Sequence, residues 1–77
     1  MKVNVLFFGI LADISNREKL EVKNVTDSGI LIAMLNKKFP GIGKTGYIVA
    51  RNQKVIKDNV ELNDGDEVAL LPPFAGG

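Results

Sequence analysis

Apolar and polar positions alternate from the second residue of the chain. Over residues 2–8, Val3, Val5 and Phe7 share one face by the strand period of two, while Leu6 and Phe8 point the other way. This predicts a strand in which neither face is purely polar. Gly9 ends the run and residues 13–16 read as a turn. Residues 17–23 set charged side chains against Leu20 and Val22, completing a predicted N-terminal hairpin. The period then changes. Thr26, Asp27 and Ser28 offer short side-chain oxygens that can accept from the unpaired N–H groups of a helix start. On a helical wheel Leu31, Ile32, Leu35 and Phe39 fall within one arc of about 100°, which predicts an amphipathic core helix over residues 29–39. Lys37 and Lys38 suit the dipole of its last turn, and Pro40-Gly41 stops it.

The C-terminal half returns to strands. Residues 47–50 predict a third strand, Asn52 and Gln53 a tight turn, and residues 54–56 its return. Asn63-Asp64-Gly65-Asp66 is a strong turn signal before residues 67–71, where both parities are apolar. Such a strand belongs in the middle of a sheet, covered at least in part on both faces. Pro72 and Pro73 lack the N–H groups that would continue the ladder. The order strand, strand, helix, strand, strand predicts an α+β roll: one helix on one face of a mixed sheet, with the first and last strands paired in the middle. Residues 1–77 form one domain, and residues 72–77 a projecting tail.

Composition narrows the chemistry. The chain of 77 residues holds no cysteine and no histidine, which excludes a disulfide framework, a thiol nucleophile and the common structural zinc sites. The apolar core alone must hold so short a domain together, and a reducing cytoplasm suits it. Any sulfur it handles cannot sit on a side-chain thiol. With a net charge of +1 and acids and bases interspersed, neither a nucleic-acid footprint nor a polybasic membrane patch is expected. Asn4 interrupts the apolar start and no small-residue cleavage site follows it, so a signal peptide is not expected. No run approaches the roughly 18 apolar residues of a transmembrane helix.

Four candidate features have an ordinary structural explanation to be weighed beside the chemical one. Gly43-Lys44-Thr45 resembles the end of a phosphate-binding loop, but Lys38 stands where that loop needs its first glycine, and a helix precedes it; residues 41–45 read as a flexible loop. Asp64, Asp66 and Glu67 read as a solvated turn rather than a metal site, because neighbours on a turn do not converge on one cation. The stripe Leu31, Ile32, Leu35, Phe39 reads as core. Leu6 and Phe8, with Val55 and Leu71, form an apolar patch on the sheet face away from the helix, and such a patch marks a binding surface. The tail Pro72-Pro73-Phe74-Ala75-Gly76-Gly77 is more informative than any of these. Two glycines in series make a thin thread that fits a narrow channel, and six extended residues reach roughly 20 Å. The stiff diproline keeps that reach from collapsing, and a sterically bare carboxylate sits at the tip.

Val5-Leu6-Phe7-Phe8, Asp64-Gly65-Asp66-Glu67-Val68 and the final Leu71-Pro72-Pro73-Phe74-Ala75-Gly76-Gly77 together resemble the MoaD family over essentially the whole chain. The resemblance implies a ubiquitin-like β-grasp fold and the role of sulfur carrier, the small subunit of molybdopterin synthase. Such a subunit is not catalytic alone; it donates sulfur within a sulfurtransferase. It implies no bound cofactor, with ATP consumed by a separate MoeB-like activating enzyme that adenylates the Gly77 carboxylate. Conversion to a thiocarboxylate follows, and the tail enters a MoaE-like large subunit to give its sulfur to a pterin precursor in molybdenum cofactor biosynthesis. In these terms Gly77 carries sulfur, Gly76 provides clearance, and Pro72 and Pro73 project the arm that continues through Phe74 and Ala75. Phe8, Val55 and Leu71 would lie on the docking surface. Phe74 is bulkier than the valine expected from the family pattern.

Three other readings use the same tail. A ThiS-type carrier for thiamine thiazole synthesis shares its chemistry, although Leu71-Pro72-Pro73 favours MoaD. In a ubiquitin-like modifier an amine rather than sulfide attacks the same adenylate, joining Gly77 to lysines of target proteins. A plain interaction domain would leave the tail inert.

Overall fold

A computed structural model describes residues 1–73. The elements run β1 (Lys2–Phe7), α1 (Ile10–Ser15), β2 (Lys19–Lys23), α2 (Ser28–Lys38), α3 (Gly41–Thr45), β3 (Ile48–Arg51), β4 (Lys54–Ile56) and β5 (Glu67–Leu71). The five strands form one sheet in the order β2-β1-β5-β3-β4. β1 and β5 pair in parallel at its centre, and the other three pairings are antiparallel. This is the mixed sheet expected from the pattern, with β5 third of five strands and the first and last strands side by side, and it has the β-grasp arrangement that the resemblance implies.

Helix α2 forms where its signals stand. The Asp27 carboxylate accepts from Ile30 N at 2.8 Å, and Lys37 and Lys38 occupy the last turn ahead of Pro40. Leu31 and Leu35 are fully buried, and Ile32 and Phe39 pack at the margin of the same cluster. Phe39 meets Phe7 edge-on, with ring centroids 5.6 Å apart. Ser28 ties the start of α2 to the chain before β5: its hydroxyl donates to Asn59 Oδ1 at 3.0 Å and accepts from Val60 N at 2.9 Å. The core lies between α2 and one sheet face, with Val3, Val5, Phe7, Val68 and Leu70 below it.

Three local expectations are corrected. Residues 10–15 are helical, which takes in residues 13–15 of the expected turn; only Asn16, in the left-handed region at φ 61°, is a turn residue. Residues 41–45 are a short helix rather than a loop. Neither helix has the length to show a period, and each sends a fully buried side chain into the core, Leu11 and Ile42. The acidic turn is solvated only in part. Asp66 is buried; it accepts from Asn63 N at 2.8 Å and from the Asn52 amide at 3.0 Å. The Asn63 backbone N–H, and after it the Asn52 side chain, hold its carboxyl below the usual range despite burial. Asp64 stands beside the start of the parallel neighbour β1, accepting from Lys2 N at 2.7 Å.

Candidate functional site

The site follows from the parallel pairing of β1 with β5. Parallel strands leave a sheet at the same edge, so the chain beyond β5 emerges beside the end of β1. Phe8 N donates to Leu70 O at 3.1 Å, one position past the last paired residue of β1. From there β5 offers only Pro72 and Pro73, neither with an N–H, and the ladder stops.

The register also orders the sheet face that carries no helix. Residues opposite one another across a ladder point to the same side. One row runs Lys23, Lys2; the next Glu21, Asn4, Glu67; the third Lys19, Leu6, Ala69, Ala50, Val55. Leu71 with Ile48 opens the fourth, and Phe8 follows Leu6 by the strand period. The face is therefore graded. Its polar end, where Lys2 pairs with Glu21 at 3.5 Å, lies away from the tail, and its apolar end leads up to Pro72.

The predicted site residues fall into three groups. Phe8 and Leu71 come together at the base of the tail; Phe8 is 45% exposed and Leu71 half-buried. Val55 shares their face but sits on the edge strand β4, in a different row and separated from β5 by β3. Pro72 is half-buried and Pro73 exposed at the exit itself. Phe74, Ala75, Gly76 and Gly77 lie outside the described residues. One residue joins the site without having been expected: Ile48 stands opposite Leu71. Ile48 is visible as a strand residue, but only its pairing with Leu71 assigns it to this face.

Elsewhere the described residues carry little that competes. They contain no group of three or more Asp or Glu side chains placed to hold a metal ion. The groove lined by Ser28, Gly29, Ile32, Val49 and Asn59 opens at the start of α2, away from Phe8 and Leu71. No helix among the described residues is long and apolar enough to cross a membrane. What the described residues offer is an apolar platform with the chain leaving its edge through Pro72 and Pro73.

Comparison with known proteins agrees in extent and kind. The model of the ThiS family matches residues 5–77. The molybdopterin synthase sulfur carrier subunit of Mycobacterium tuberculosis is 43% identical over 82 aligned residues, covering 100% of this chain and 99% of that protein. A chain in the complex of subunits 1 and 2 of molybdopterin-converting factor from Helicobacter pylori is similar at 34% identity and TM-score 0.70, with 100% of each chain covered. Small archaeal modifier protein 1 of Methanosarcina acetivorans shares the fold at TM-score 0.84 and 20% identity, covering 99% of this chain and 96% of that one.

Proposed function

The chain belongs to the ThiS/MoaD family, and from that premise we infer that it is the sulfur carrier subunit of a molybdopterin synthase. One observation carries the reading: the apolar end of the open sheet face runs without interruption into the base of the tail. A partner that covers Phe8, Leu71 and Ile48 therefore has the arm in reach of its own active site. The curated name of the Mycobacterium tuberculosis relative supports this role, and the Helicobacter pylori complex supports a large-subunit partner.

The chemistry then belongs to the terminal carboxylate of Gly77. An activating enzyme of the MoeB kind joins it to AMP from ATP, releasing pyrophosphate. Sulfide attacks the acyl carbon and expels AMP, and the resulting thiocarboxylate holds a nucleophilic sulfur on a chain without cysteine. In the large subunit's site that sulfur attacks the pterin precursor, and water then cleaves the acyl–sulfur bond, leaving sulfur on the pterin and restoring the Gly77 carboxylate, all within the cytoplasm. Pro72 and Pro73 project the arm, Phe74 and Ala75 continue it, and Gly76 lets the tip pass a narrow channel.

Deleting Gly77 should abolish pterin sulfuration while leaving the thermal unfolding midpoint unchanged; unaltered sulfuration by the truncated chain would sink the proposal. Intact mass after incubation with the activating enzyme, ATP and a sulfur source should show sulfur in place of one terminal oxygen. Conjugates on lysines instead would point to a modifier. Capture of a thiazole synthase from the native cell, in place of a large subunit, would point to the ThiS role.

A further inference from the structure

Gly9 and Pro72 are brought together by the two central strands. Continued two positions beyond the pair Phe7 and Leu70, the parallel register sets residue 9 beside residue 72. There β1 turns out of the sheet. Gly9 adopts φ 57° and ψ −133°, a region that L side chains avoid, and Leu11 N donates to Phe8 O at 3.1 Å across the turn. The close approach is as telling as the dihedral. A Cβ on residue 9 would lie 2.8 Å from Pro72 Cγ and 3.8 Å from Pro72 Cδ. Carbon atoms that are not bonded settle at about 3.5–4.0 Å. The Pro72 ring thus closes off the space that any side chain at residue 9 would need.

We propose that Gly9 is a positioning residue: its bare Cα is a seat for the Pro72 ring, and the seat sets the direction in which the chain leaves the sheet beyond β5. The proposal rests on the sulfur-carrier reading, because direction matters when the end of the chain must be delivered to a partner's site. Proline suits the purpose. Its ring is closed onto the backbone nitrogen, so holding the ring holds the main chain, as gripping a flexible side chain does not. A chain can advance at most about 3.3 Å per residue, so a small rotation at its base can displace a group several residues further on by several ångströms. Misplacement of a reacting group by about 1 Å costs on the order of a hundredfold in rate.

The test uses four full-length chains: the native sequence, Gly9→Ala, Pro72→Ala and the double variant. Each is loaded as the thiocarboxylate and followed through a single turnover with saturating large subunit, with partner Kd and unfolding midpoint measured alongside. Gly9→Ala should slow transfer about tenfold or more while partner Kd stays within about twofold. The double variant should be no slower than Pro72→Ala alone, because alanine at position 72 has no Cγ or Cδ for the new methyl group at position 9 to meet. Strain from alanine at positive φ is common to both backgrounds and cancels in the cycle. A native rate in Gly9→Ala, or effects that simply multiply in the double variant, overturns the seat. If Gly9→Ala does not fold, Pro73→Ala replaces it. Pro73 is exposed where Pro72 is half-buried, so Pro72→Ala should slow transfer more than Pro73→Ala does; equal losses overturn the proposal in favour of diproline stiffness alone. A native chain that accepts no sulfur counts against the carrier reading instead. The same four chains then decide the seat by amide chemical shifts. Gly9→Ala should move the Gly76 and Gly77 signals when Pro72 is present and not when it is replaced by alanine, and equal movement in both backgrounds overturns it.

Discussion

Phe7 and Phe8 are neighbours of the same type, yet Phe7 is 3% exposed and Phe8 45%. The difference extends to the whole sheet. On one face Val3, Val5, Val68 and Leu70 are sealed under the helices; on the other Leu6, Ala69 and Leu71 keep partial access to water, and Val55 more. Toward the tail, hydrophobicity does not separate the two faces, since there each is apolar. Cover separates them: Leu31, Leu35, Leu11 and Ile42 all descend on the same side. A chain with two apolar surfaces has used one to fold and left the other uncovered, next to Pro72 where the chain leaves the sheet.

This contrast is open to attack from both sides. The largest effect should come from the covered face. Leu35→Ala leaves a cavity under α2 and should cost about 2–5 kcal/mol of unfolding free energy by denaturant titration. Sulfur transfer per folded molecule should stay near the native rate. A matching loss of partner affinity in that variant would mean that the two faces are not independent. Next comes the open face. Phe8→Ala should change unfolding free energy by less than about 1 kcal/mol yet weaken large-subunit binding by about 2 kcal/mol or more, measured by calorimetry. Val55→Ala, on the edge strand and away from the tail row, should weaken it by less than about 1 kcal/mol. The opposite ranking would move the centre of the interface to β4.

The smallest effect concerns the start of β5, where Asp66 joins the two halves of the sheet. Its carboxyl is held low by the Asn63 N–H and the Asn52 amide, so the folded chain favours the ionised form more than the unfolded chain does. A depressed folded pKa contributes stability above the unfolded value of about 4 and loses it as pH falls through the folded value. The unfolding midpoint should therefore drop on acidification below about pH 4, and Asp66→Asn should flatten that part of the profile. An unchanged acid slope in the variant would assign the effect to other carboxylates.

Much of this molecule is legible along the chain. The period of two in residues 2–8 separates the buried and open sides of β1, and the Asp27 cap and the wheel position of Leu31 and Leu35 place α2 within one residue. Asn52 and Gln53, at φ 49° and 73°, form the tight turn their types predict, and the two-sided apolar character of β5 identifies it as central. These are local signals: each needs only neighbours within a few residues. The short helices α1 and α3 escape such signals because five or six residues carry too little period, and a distant core holds them. The burial of Asp66 escapes them too, because Asn52, the side chain that helps bury it, arrives from another hairpin.

The candidate site divides in the same way. Composition and the tail chemistry are properties of the chain itself: with no cysteine or histidine, Gly76-Gly77 behind a diproline is recognisable before any fold is known. What the tertiary structure alone decided is what stands beside the tail. That Ile48 joins Leu71, that Val55 lies at a far edge, and that Gly9 receives the Pro72 ring all depend on strand register. Register is a relation between segments far apart in sequence. It is set by the simultaneous burial of Val5, Phe7, Val68 and Leu70 against the helices, which no single segment can specify.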